Sequence, residues 1–171
     1  MKNLLIIGAG QYGRLVKELA ETIGYKKIDF LDDLVLDTVG KIQDLPQVQE
    51  NYEGCVIAIG NPEFRKKIFK IVERPMTLIH PSAVISKSAI VEAGCVIESN
   101  VVINTNAVIE AGSFICAGAV VNHNSVVKKF SQIDCNAVVA AKAIVPEGTK
   151  VYSCTVWNNN LRMAVGKESF F

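Results

Sequence analysis

Gly8-Ala9-Gly10-Gln11-Tyr12-Gly13 stands between an apolar run and an amphipathic one, the setting in which a GxGxxG pattern carries chemistry. Gly8 permits the tight turn, Gly10 lets a phosphate approach the backbone, and Gly13 allows the following helix to pack closely. The N-terminus of that helix favours an anion. Asp32 follows Gly13 by nineteen residues at the end of a second apolar run, and it and Asp33 could accept hydrogen bonds from a ribose or a base. A third run ends in Gly60-Asn61-Pro62, with Arg65 one helical turn on as a natural phosphate partner. These residues point to a nucleotide. NAD is one candidate, but no second mononucleotide half follows.

Composition narrows the chemistry. Eighteen basic and seventeen acidic residues give a formal net charge of +1, and the densest basic clusters, Arg65-Lys66-Lys67 and Lys128-Lys129, are short. Nucleic acid is therefore not the expected partner. The apolar run Leu4 to Ile7 is too short for a signal sequence or a membrane span. Five cysteines, at 55, 95, 116, 135 and 154, form no CxxC pair. That usage suits reduced thiols in a cytoplasm, and no metal site is suggested.

Two grammars organise the chain. Up to residue 77 strands alternate with helices: strands at about Asn3 to Ile7, Lys27 to Leu31 and Cys55 to Ile59, and helices at about Gln11 to Ile23 and 62–72. The first helix should bury Leu15, Leu19 and Ile23, and the second starts at Pro62. This is half of a doubly wound, Rossmann-like α/β sheet.

From residue 78 to 156 the period is six. Cut from Ile79, the chain gives thirteen hexads whose first residue is always Ile or Val and whose fifth is always Ala, Ser, Thr, Cys or Val. Three hexads make one triangular coil, with the aliphatic side chain inside the prism and the small residue where space is tight. The reading is an all-β left-handed parallel β-helix of a little over four coils, followed by a tail from 157 to 171. Exposed coil ends are a liability, so a cap or an oligomer is expected. The tail's Ser169-Phe170-Phe171 could cover the last coil.

The order of a GxGxxG turn, an "FLDD" second strand, an "IAIGN" third strand, a "TLIHPSAVIS" linker and hexapeptide coils resembles bacterial sugar acetyltransferases of the NeuD/PglD type. The resemblance covers essentially the whole chain. It implies a nucleotide-sugar-binding domain over 1–77, a trimer, and acetyl-CoA in the groove between neighbouring helices. It also implies acetyl transfer to a nucleotide-linked amino sugar or sialic-acid-like sugar in surface-glycan synthesis. Gly8, Gly10, Asp32, Asp33, Gly60, Asn61 and Arg65 match the family's nucleotide-sugar positions, and His123 in "VVNHNSV" matches its catalytic histidine. An imidazole suits the role of base, taking the acceptor's proton as it attacks the thioester. His80 is a poor second, in the first hexad and on a different face from His123 in the eighth.

The chain also departs from the family. Asn124 follows His123 where an acidic residue usually orients the ring, and Gln132 stands where a second histidine would contact the acetyl group. Ala140 and Ala141 replace glycines, and the closing segment arrives early. Two readings follow: an active transferase, or a weakened or inactive member that binds a nucleotide sugar or scaffolds a pathway enzyme. At 18-residue spacing Asn104 and Asn122, and Asn106 and Asn124, should form two short amide ladders beside His123.

Overall fold

The computed structural model describes residues 2–159. Three parallel strands, β1 (Asn3–Ile7), β2 (Lys27–Leu31) and β3 (Gly54–Ile57), are ordered β2-β1-β3. Alternate residues of β1 serve different layers. Leu4 and Ile6 pack with α1 (Gln11–Thr22) and the β-helix, whereas Leu5 and Ile7 pack with α2 (Leu45–Val48) and α3 (Pro62–Phe69). A strand covered on both faces has to be apolar throughout, and Leu4 to Ile7 is.

Several expected boundaries and faces change. The third strand ends at Ile57 and the last helix at Phe69, both earlier than their apolar runs. In α1 the buried side is Val16, Leu19 and Ala20 with Gly13, while Leu15 is 40% exposed. Of the expected stripe Leu15, Leu19 and Ile23, Leu19 is buried and Ile23 packs against the core, so only Leu15 falls outside the contact with the sheet and coils.

Fourteen two-residue strands, β4 (Leu78–Ile79) to β17 (Val156–Trp157), build the β-helix in three parallel sheets of five, five and four strands. On the first face Leu78, Val96, Phe114, Gln132 and Lys150 stack in register. The second face stacks Val84, Val102, Val120, Val138 and Val156, and the third Ile90, Val108, Val126 and Ile144. Val156 and Trp157 still pair with Val138 and Val139, so the ladder takes in Trp157, the first residue expected in the tail. Ser169-Phe170-Phe171 lies outside the described residues.

The hexad rule holds physically. From Ile97 to Val151 every first-position aliphatic is buried, and from Cys95 to Ala143 so is every fifth-position residue. Ile79, in the end coil, is 37% exposed. From Gly94 onward the fourth positions turn the corners with positive φ, taken by Asn100, Asn106, Asn124 and Asn136 and by Gly94, Gly112, Gly118 and Gly148. Glycine and asparagine tolerate that conformation, whereas Phe130, Lys142 and Cys154 adopt it at a steric cost of about 1–2 kcal/mol each.

The α/β domain sits on the first face. Val96 and Phe114 join its core, and the Tyr12 ring lies 4.9 Å from that of Phe114.

Candidate functional site

The glycine loop has the geometry its sequence demands. Gly8 has φ 105°, and a Cβ on Gly13 would lie 2.0 Å from the Gly8 carbonyl oxygen, so only glycine lets α1 start this close to the loop. A Cβ on Gly10 would meet nothing within 4 Å. No side chain caps the N-terminus of α1 there, and no acidic residue lies in its first turn, which leaves that end open to an anion.

Gly8, Asp32 and Asp33 come together with Leu34, Ile42, Ile59 and Phe64 around a groove of about 340 Å³ at the carboxyl edge of the sheet. Asp32, however, is committed to the backbone. Its Oδ2 accepts from Ala9 N at 2.7 Å, and its Oδ1 accepts from Leu34 N at 2.8 Å and Val35 N at 3.0 Å. It ties the glycine loop to the loop after β2, a role its sequence position did not reveal. Partial burial pushes its pKa up, but the three N–H donors outweigh that and hold the carboxyl below the usual range. Asp33 is exposed and spends only Oδ1, on Ile42 N at 3.0 Å, so it is the better placed of the two for a ribose or base.

The next loop brings a larger correction. Asn61 caps α3, its Oδ1 accepting from Phe64 N at 2.9 Å. Gly60 is open, with nothing within 4 Å of where a Cβ would stand. Arg65 does not face a phosphate site: it is 1% exposed, and every acceptor it meets is a backbone carbonyl. Nη1 donates to Ile59 O at 2.6 Å and Gly60 O at 3.1 Å within its own domain. Nε donates to Gly112 O at 2.9 Å and Nη2 to Phe130 O at 2.5 Å, across the boundary on the β-helix. The guanidinium also stacks on Phe114, 4.0 Å from the ring centroid. Burial pulls its pKa down to about 10, so it stays charged at neutral pH.

The contact between α3 and the β-helix went unread in the sequence, though a signal for it was present. Gly94, Gly112 and Gly148 recur at 18-residue steps on one corner, interrupted by Phe130. A Cβ on Gly112 would lie 2.7 Å from the Phe130 ring, and Phe130 meets Phe69 of α3 edge to face at 5.4 Å.

His123 is exposed on a different corner, between the second and third faces. Both expected ladders are present: Asn104 Nδ2 donates to Asn122 Oδ1 and Asn106 Nδ2 to Asn124 Oδ1, each at 3.3 Å. Asn122 Oδ1 also accepts from His123 N at 3.3 Å, and Asn124 Nδ2 lies 3.0 Å from His123 Nδ1. Asn124 occupies a positive-φ position (58°), which gives its residue type a backbone reason as well. Gln132 does not join His123 within one chain. It lies on the first face, where its Nε2 donates to Asp134 Oδ1 at 2.7 Å. His80 follows β4 on the corner between the first and second faces and contacts Ser82 Oγ at 2.7 Å, well apart from His123.

A second signal passed over in the sequence lies at the sixth hexad position. On the first face those residues are covered by the α/β domain or are polar, but on the second and third faces all nine are Val or Ile. Val84, Ile90, Ile144 and Val156 are 50–63% exposed. Two apolar faces therefore meet at the corner that carries His123.

An α/β domain with an uncapped glycine loop, set on a parallel β-helix with a corner histidine, is an architecture shared with hexapeptide-repeat acyltransferases. Residues 3–72 match the PglD N-terminal domain. UDP-N-acetylbacillosamine N-acetyltransferase of Bacillus subtilis (strain 168) is 31% identical over 114 residues, covering 55% of this chain and 50% of that protein. The match thus spans half the length of that curated relative.

Among solved structures, the acetyltransferase domain of PglB from Neisseria gonorrhoeae FA1090 superposes with a TM-score of 0.76 at 27% identity, covering 91% of this chain and 88% of that one. Its complex with acetyl coenzyme A gives 0.69 at 26% identity, covering 91% and 92%. GDP-perosamine N-acetyl transferase from Caulobacter crescentus, a variant in complex with CoA and GDP-perosamine, shares the fold at 22% identity, with a TM-score of 0.68 and 91% of each chain covered. Residues 3–72 thus match the PglD N-terminal domain, and the chain is similar across both of its domains to bacterial sugar acetyltransferases of the NeuD/PglD type.

Proposed function

We propose that the protein transfers acetyl from acetyl-CoA to the amine of a nucleotide-linked sugar, with His123 as general base. The observation that carries this reading is the placement of His123 where two unpartnered apolar faces meet. Packing the second and third faces against neighbouring copies makes a homotrimer with His123 in the groove between chains. The nucleotide groove by Gly8 and Asp33 belongs to a domain seated on the first face, so one chain alone does not bring base and nucleotide to the same corner. A neighbouring chain completes the site.

In that groove the sugar nitrogen bonds to the acetyl carbon and the carbon–sulfur bond breaks. The nitrogen's proton passes to His123 and on to the departing CoA thiolate. The relatives support the choice of substrates: one gonococcal structure holds acetyl coenzyme A, and the Caulobacter enzyme holds CoA with GDP-perosamine. Nucleotide-activated sugars and five unpaired cysteines, two of them exposed, suit the cytoplasm and surface-glycan synthesis. No described helix is long and apolar enough to cross a membrane.

The test is release of CoA thiol from acetyl-CoA in the presence of UDP-linked amino sugars or GDP-perosamine. His123→Ala should lower kcat by about 10²–10⁴-fold while nucleotide binding persists. Retained activity removes His123 from the mechanism. Asn124, which meets the imidazole with an amide in place of a carboxylate, favours the second reading, a member that binds nucleotide sugar without acetylating it. Binding of the sugar nucleotide with no acetyl-CoA binding at millimolar concentration would select that one.

A further inference from the structure

We propose that the asparagine ladder beneath His123 sets its tautomer: Asn106, acting through Asn124, holds the proton of the neutral imidazole on Nε2 and leaves Nδ1 as the acceptor. The polarity of the ladder is the reason. Asn106 Nδ2 donates to Asn124 Oδ1 at 3.3 Å, which engages the oxygen of that amide. The Asn124 amide then presents Nδ2 to His123 Nδ1 at 3.0 Å. An amide NH₂ is only a donor, so the facing ring nitrogen must be unprotonated, and a neutral imidazole carries its one proton on the other nitrogen.

The neighbouring ladder fixes the backbone beneath the ring, because the His123 backbone N donates to Asn122 Oδ1, itself held by Asn104. Reversing the tautomer therefore means turning over the Asn124 amide, which forfeits its bond to Asn106 unless Asn106 turns as well. Asn106 reaches His123 only through the Asn124 amide. It is a positioning residue, one coil below the ring.

The consequence bears on transfer and rests on the proposed function. A base that takes the acceptor's proton on an outward Nε2 needs that nitrogen bare and the proton on Nδ1, which an acidic neighbour secures by accepting from Nδ1–H. The Asn106-to-Asn124 polarity favours the opposite form. The ladder thus holds His123 in its unproductive tautomer until both amides turn over, so Asn106 tunes the rate through Asn124.

The substitution Asn106→Asp tests this directly. A carboxylate at that position could only accept, so Asn124 would give it Nδ2 and turn Oδ1 toward His123 Nδ1–H. Aspartate also tolerates the φ of 57° found there. The measurement is ¹⁵N NMR of the two imidazoles at a pH high enough to leave both neutral, with His80→Gln to assign them. The expected result is Nε2–H for His123 in the wild type and a switch to Nδ1–H in Asn106→Asp. Asn106→Gly, which keeps the backbone conformation and removes the donor, should give a mixture.

In the CoA-release assay kcat should rise about tenfold in Asn106→Asp, one hydrogen bond's worth of preference, with KM for acetyl-CoA little changed. A wild type already in the Nδ1–H form overturns the inference, as does an Asn106→Asp protein of unchanged circular dichroism whose tautomer does not move. If Asn106→Asp unfolds the coil, Asn106→Gly alone decides: a pure Nε2–H form there refutes the ladder's control. A tautomer that switches while no variant releases CoA upholds the ladder and sinks the transferase reading.

Discussion

Replacing Arg65 separates a residue that joins domains from one that binds phosphate. Arg65→Met keeps much of the stem but removes four hydrogen bonds, two to the α/β domain and two to the β-helix. Hydrogen bonds to a charged group are worth about 1.5–3 kcal/mol each, but they are not additive, and burying the guanidinium carries a desolvation cost. Each backbone carbonyl that the change leaves unpaired in the interior costs about 1–3 kcal/mol, and with part of that offset by the lost desolvation penalty about 3–5 kcal/mol is the expected destabilisation here. For a chain of this size it corresponds to a fall of about 6–20 °C in Tm. Arg65→Lys, which retains a charge without the planar fork, should lose about half as much.

The assays are chemical denaturation followed by fluorescence and calorimetric titration of the folded protein with a UDP-sugar. A domain-joining Arg65 predicts a lowered midpoint and nucleotide affinity within about threefold of wild type. An unchanged midpoint with affinity reduced more than tenfold would refute the reasoning and return Arg65 to a phosphate.

Other perturbations test other parts of the structure. Asp32, whose carboxyl is held below the usual carboxylate range, contributes stability that is present above its unfolded pKa and is lost as pH falls through its lower folded value. Acid unfolding of Asp32→Asn should therefore be flatter below about pH 4, with reduced stability at neutral pH; a superimposable pH profile would contradict this. In a thiol-reagent titration of the native protein, exposed Cys135 and Cys154 should react promptly. Cys55, Cys95 and Cys116 should lag, since all are buried and burial pushes their thiols up, to about 11 for Cys55 and about 12 for Cys95. Val120→Glu on the second face or Val126→Glu on the third should reduce a trimer to single chains in light scattering; a trimer that survives both moves the interface elsewhere.

The β-helix was legible because its rule is local. Each hexad meets the same prism, so the aliphatic first position and small fifth position report burial without knowledge of any distant segment. The glycine loop was legible for the same reason: the contact that excludes a Cβ at Gly13 is with Gly8, five residues away. The asparagine ladders needed only the 18-residue repeat, which the sequence itself supplies.

What escaped the sequence depends on how two separately legible domains meet. Arg65 is a plausible phosphate ligand in the α/β domain taken alone. It becomes a buried joint only when Gly112 and Phe130, 47 and 65 residues further on, bring carbonyl oxygens within reach. Asp32 looks free until the glycine loop folds back onto it 23 residues away. The apolar sixth positions acquire meaning only when one face is seen to be covered and two are not. The sequence by itself determined the coils, the glycine turn and the amide ladders, because short-range spacing dictates each. Tertiary structure alone decided which polar groups remain available to a ligand, because a hydrogen-bonding group is spent by whatever the fold brings to it, and neither its type nor its spacing records that.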